Sequence, residues 1–125
     1  MAVFSNTVYV RVHKNQFRVR HIESGADTTV MATTSFTTSR LLIGQFEAAQ
    51  DSLKGALKQI VKGRLFAPSP RVLMHPLEMI GEGLSEIEKR TFQEVAIGAG
   101  AAQVVVWVGH ELSDAEVKEK LGAKS

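Results

Sequence analysis

Apolar and polar residues alternate twice near the start of the chain. Val8, Val10 and Val12 alternate with Tyr9, Arg11 and His13, and then Phe17, Val19 and His21 alternate with Arg18, Arg20 and Ile22. A period of two puts each set on one side of a strand, so the pair predicts a hairpin with one buried face, turning at His13-Lys14-Asn15-Gln16. Ser24-Gly25-Ala26-Asp27 marks the next turn. Residues 28–38, threonine-rich around Val30, Ala32 and Phe36, predict a third strand suited to a sheet edge. From Phe46 the period becomes helical: Phe46, Ala49, Leu53, Ala56, Leu57, Ile60 and Val61 share a face, with Gln50, Lys54, Lys58 and Lys62 opposite. Gly63 is expected to end this helix, Ala67-Pro68-Ser69-Pro70 bars its continuation, and Val72-Leu73-Met74 opens a fourth strand.

The stretch from Pro70 to Gly109 reads as a complete βαβ unit. Its helix opens at Ser85-Glu86-Ile87-Glu88, where the Ser85 hydroxyl accepts from an early backbone N–H and Glu88 reaches back, and it closes at Gly98-Ala99-Gly100. Residues 104–108 are apolar throughout, which predicts a strand covered on both faces with Trp107 in the core. Ser113-Asp114-Ala115-Glu116 is a second capping box, opening a short helix that frays after Leu121. The element order is βββαβαβα, an α/β domain.

With 125 residues the chain is expected to form one domain over 1–125, large enough to be stable without staples. Cysteine is absent, which excludes disulfides and thiolate metal sites. The N-terminus shows no basic region followed by an apolar run, and no stretch approaches the roughly 18 apolar residues of a membrane span, so a cytoplasmic protein is expected. The net charge of +2 is unevenly divided. Residues 1–71 hold ten Lys/Arg against four Asp/Glu, and residues 72–125 hold five against nine. That asymmetry favours contact between copies of the chain, or an anionic partner for the first half.

Ser85, Glu88, Arg90, Glu94, Ala99, Gly100, Ala101 and Val104 fall at the spacing of a signature in the second βαβ unit of the MreB family, and that segment resembles these bacterial actin-like cell-shape proteins. Asn6-Thr7-Val8-Tyr9-Val10 is similar to the family's first strand, and Leu42-Ile43-Gly44-Gln45-Phe46-Glu47 to the approach to its first large helix. The resemblance implies an actin-like ATPase subdomain with a ribonuclease H-like fold: a five-stranded mixed sheet in the order 3-2-1-4-5, its second strand antiparallel. It covers only the first core subdomain.

The resemblance does not bring the family's chemistry with it. A phosphate loop in these ATPases carries an acidic residue and a glycine, and Val3-Phe4-Ser5-Asn6-Thr7 offers neither. The second half, with its own phosphate loop, does not occur within these 125 residues, and Gly109-His110-Glu111 departs from the family where an acidic-proline segment would follow the fifth strand. Two-metal nuclease chemistry needs converging carboxylates, which the first strand lacks. Gly98 and Gly100 follow a helix, the wrong context for a phosphate cradle. His13, His21, His75 and His110 show no metal-ligand spacing. No catalytic residue, metal or cofactor is therefore expected.

The reading these observations favour is a non-catalytic actin-like subdomain that works as a protein-binding or assembly module in bacterial cell shape or cytoskeletal regulation. It would be a homodimer paired through Thr28, Thr29, Val30, Ala32, Thr34 and Phe36, with an actin-like filament protein as a further partner. An alternative is a small phosphate- or nucleotide-ligand domain, or an enzyme, with its site at the ends of strands one and four, using Ser5, Asn6, His75, Glu78 and His110. The least favoured is nucleic-acid binding through Arg11, Lys14, Arg18, Arg20 and Arg40, with Tyr9 or Phe17 stacking on bases.

Overall fold

The structure, a computed structural model, describes residues 6–61, 69–81 and 83–122. Five strands and three helices follow in the expected order: β1 (Thr7–His13), β2 (Gln16–His21), β3 (Asp27–Met31), α1 (Phe46–Ile60), β4 (Arg71–Pro76), α2 (Glu86–Gly98), β5 (Gln103–Val106) and α3 (Asp114–Gly122). The strands form one mixed sheet, β3-β2-β1-β4-β5. The β1–β2 and β2–β3 pairs are antiparallel, whereas β4 lies parallel to both β1 and β5. Strand order and directions are those implied by the resemblance.

One face of the sheet packs on α1 and α2. Val8, Val10, Val12, Phe17, Val19, Val72 and Met74 meet Ala49, Leu53, Ala56 and Leu57 of α1 and Phe92, Val95 and Ala96 of α2. Each buried side chain of this size contributes about 1.5–3 kcal/mol through the water it sheds. On the opposite face α3 lays Val117 and Leu121, together with Leu112, against Tyr9 and Leu73. The expectation of one buried face for the hairpin is therefore corrected. β1 is the central strand, and Tyr9, on its other side, is buried as well.

Both capping boxes are present. Ser85 Oγ accepts from Glu88 N at 3.2 Å while Ser85 N donates to Glu88 Oε1 at 3.0 Å, and Ser113 with Glu116 repeats the exchange at 3.2 and 2.9 Å. After α2 the chain reverses at Gly100, whose φ of 117° suits glycine. The residues expected to stop α1, Gly63 to Pro68, lie outside the described residues, and Phe46 is half exposed at the start of that helix.

Three expectations change. The third strand ends at Met31 instead of reaching residue 38, and Phe36 is fully buried, its ring stacked on Phe17 with centroids 4.9 Å apart. Asn15 causes this: its carbonyl accepts from Ala32 N at 2.9 Å, and its side-chain oxygen accepts from Phe36 N and Thr37 N at 2.8 and 2.9 Å, pulling the chain over the sheet end. β5 is an edge strand with every residue half buried: Val104 and Val106 pack on the α1/α2 side and Val105 on the α3 side, so the expected cover is present on both faces but only partial. Trp107 is half buried rather than core. Its indole N–H donates to His110 O at 2.9 Å, and the Lys120 ammonium sits 3.8 Å from its ring centroid.

Candidate functional site

The residues expected to form a site at the strand ends are divided among separate places. Ser5 lies outside the described residues. Asn6 is buried just before β1, its carbonyl accepting from Arg71 N and its side-chain oxygen 2.8 Å from His21 Nε2. Because β1 and β4 are parallel, with Arg11 beside His75, Asn6 is five residues from the level of His75, roughly 16 Å along the strands. Glu78 turns away to the β1–β2 turn, where its carboxylate accepts from Lys14 N at 2.8 Å and lies 3.3 Å from His13 Nδ1. The Lys14 N–H holds this carboxyl below the usual range. His110 is exposed and reaches Glu116 at 3.2 Å. Among the described residues no three His, Asp or Glu side chains converge as metal ligands.

His75 belongs to a buried polar chain that the strand pattern did not reveal. Its Nε2 donates to Gly109 O at 3.0 Å, so Nδ1 accepts from the Tyr9 hydroxyl at 2.7 Å, and the Tyr9 oxygen accepts from Leu112 N at 3.2 Å. Every group in the chain is satisfied. Burial pushes the His75 pKa down and that of Tyr9 up, so both stay neutral. This network fastens the β5–α3 connection to the sheet. Gly109 belongs to it through that carbonyl, and a side chain there would clash, its Cβ standing 2.6 Å from the Trp107 ring.

The segment Val3 to Thr7, compared above with a phosphate loop, ends at the first residue of β1, so that position is corrected: directly after β1, where a phosphate loop would follow the first strand, stands the two-residue turn Lys14-Asn15. Asn15 adopts φ 54°, which asparagine tolerates, and its polar groups are committed to Ala32, Phe36 and Thr37.

Beyond the reach of α3 the sheet face is open. Arg11, Arg18, Arg20, Asp27, Thr29 and Asp114 line a shallow cavity of about 520 Å³ there. Arg20 grips Asp114 with a two-pronged contact, Nε to Oδ1 at 2.8 Å and Nη2 to Oδ2 at 3.0 Å, and its Nη1 donates to Asp27 at 2.7 Å. These bonds hold the Asp114 carboxyl below its ordinary value and raise the Arg20 pKa further. Of the cations considered for nucleic acid, this face gathers Arg11, Arg18 and Arg20. Lys14 is on the turn, and Arg40 is exposed on the 32–45 connection. Neither stacking ring is available, since Phe17 is buried on the opposite face and Tyr9 is buried under Arg11.

The outer edge of β3 is another open feature. Ala26 O, opposite His21, and Ala32 N, opposite Asn15, bond toward β2. The antiparallel alternation therefore turns the main-chain groups of Asp27, Thr29 and Met31 outward. Among the described residues β3 pairs only with β2. Of the residues expected at an interface, Thr29 is exposed on this edge, Thr28 and Val30 are half buried toward α1, Ala32 and Thr34 follow the strand, and Phe36 is inaccessible.

The chain is 32% identical over 99 residues to the uncharacterized protein YjaA of Escherichia coli, an alignment covering 75% of this chain and 76% of YjaA. The chain belongs to the YjaA family. It is also 36% identical over 63 residues to the cell shape-determining protein MreB of Haemophilus influenzae, and 35% identical over 63 residues to that of Pasteurella multocida. Each of these alignments covers 50% of this chain and only 17% of MreB, which supports an actin-like relationship for half of this YjaA-family chain. No family model matches. No helix among the described residues is long and apolar enough to cross a membrane.

Proposed function

We propose that this chain is a non-catalytic relative of one actin-like subdomain, serving as a protein-binding or assembly module in bacterial cell shape or cytoskeletal regulation. The observation that carries this reading is the pairing of a filled nucleotide position with an open edge. Where a phosphate loop would follow β1, the turn at Asn15 is spent on holding residues 32–37, whereas β3 offers outward main-chain groups at Asp27, Thr29 and Met31. Met31 is 63% exposed, and β3 carries no Pro and no Lys to discourage pairing.

The first partner is a second copy. A two-fold axis at Thr29 pairs Asp27 with the partner's Met31, joining two sheets edge to edge without opposing like charges. An actin-like filament protein is the partner to which the MreB similarity points. The test uses the absence of cysteine: Thr29→Cys places two thiols across the axis within disulfide range. Oxidation is expected to give covalent dimer, and Ile87→Cys, on the exposed side of α2, none. Equal cross-linking of the two variants would refute pairing through β3.

A further inference from the structure

We propose that the open sheet face binds the phosphoryl group of a small phosphomonoester between Arg11 and Arg18. The two arginines are direct cross-strand partners on β1 and β2. Like charges directly opposite one another destabilise a sheet, and here the compensation is incomplete. Arg18 has no hydrogen-bond or ion-pair partner among the described residues. Arg11 reaches Asp27 and Glu111 only at 3.4 and 3.5 Å, and its buried Nε has no acceptor. Arg20, by contrast, is saturated by Asp114 and Asp27; its one charge offsets one of these two carboxylates, and Asp27 is shared with Arg11.

What remains is a pair of guanidinium groups facing a cavity of about 520 Å³, with the Thr29 hydroxyl beside Arg18. A phosphomonoester carries about two negative charges and three acceptor oxygens, matching two guanidinium forks and a hydroxyl; a single carboxylate matches half of that. The volume is that of a small-molecule site. An acidic peptide crossing the β3 edge meets Asp27 first, so the charge pattern disfavours it. No group is transferred in this proposal. The site binds.

Thermal melts in inorganic phosphate and in phenyl phosphate, against chloride at matched ionic strength and against benzoate, test it. Both phosphates are expected to raise the midpoint, by about 10 °C at roughly a hundredfold excess over Kd, and benzoate to leave it unchanged. Arg18→Gln is expected to abolish that rise and, by relieving the like-charge pair, to lift the ligand-free midpoint by about 2 °C. Arg18→Lys keeps the charge but loses the fork, and should weaken binding at least about tenfold. Arg90→Gln, on the far side of α2, should retain the full phosphate effect. No shift with either phosphate, an equal shift with benzoate, a larger one with polyglutamate, or a lower ligand-free midpoint for Arg18→Gln would each overturn the proposal.

Discussion

The two faces of the sheet are built by different rules. Under α1 and α2, strand residues from Val8 to Met74 are apolar and close-packed, and stability there comes from area removed from water. Under α3, Tyr9 and Leu73 are covered, but the same face continues into Arg11, Arg18 and Arg20, of which Arg20 is held by directed contacts and Arg18 by none among the described residues. The first face makes the fold. The second leaves polar groups uncovered over β2 and β3.

The sharpest way to break this contrast is to cut equally into both faces. Leu53→Ala, in the centre of the α1 contact, should cost about 4 kcal/mol in urea melts, whereas Leu121→Ala, near the end of α3 where the helix relaxes around the gap, should cost nearer 2 kcal/mol. Equal losses would mean that the faces are equivalent. Tyr9→Phe removes one oxygen and leaves both His75 Nδ1 and Leu112 N without a partner, an expected loss of about 1–3 kcal/mol. If Tyr9→Phe matched the parent, the α3 face would rest on area alone.

A smaller effect is the response to pH. Burial depresses the His75 pKa in the folded state, so the unfolded chain binds that proton more readily. The sign follows: its contribution is full above about pH 6.5 and declines as pH falls through and below that value. Asp114 and Glu116, also held low, add a second loss as pH falls through the carboxylate range, near about 4. His75→Gln should flatten the first decline and leave the second. Urea midpoints between neutral and acid pH will show whether one phase or two is present. The smallest contrast is between the caps: Ser85→Ala should cost about 1 kcal/mol, and Ser113→Ala less, because Arg20 also fastens Asp114 at the start of α3.

Periodicity carried the covered face because burial on one side imposes a period, and the capping boxes carried two helix starts because their chemistry is local. Neither signal reports contacts between distant segments. Phe36 fits a threonine-rich strand by pattern, yet Asn15, 21 residues earlier, folds it onto Phe17. Asn6 and His75 both lie near strand ends, but parallel pairing puts them at opposite ends of the sheet. Alternation did place Arg11, Arg18 and Arg20 on one side of the hairpin. Their direct opposition and the satisfaction of Arg20 by Asp114, 94 residues away, follow from register and from the docking of α3. His21 was the one visible hint of a buried polar partner, a histidine at an apolar position of the alternation, and it lies against Asn6 and Ser24.

The central claim is that the open β3 edge assembles this protein, and sedimentation velocity tests it most directly. At micromolar concentration the parent should run near twice its 13.7 kDa monomer mass. Thr29→Pro removes an outward N–H while sparing the β2 ladder, and should shift the protein to monomer. A parent that stays monomeric at hundreds of micromolar, or a dimer indifferent to Thr29→Pro, would contradict the account.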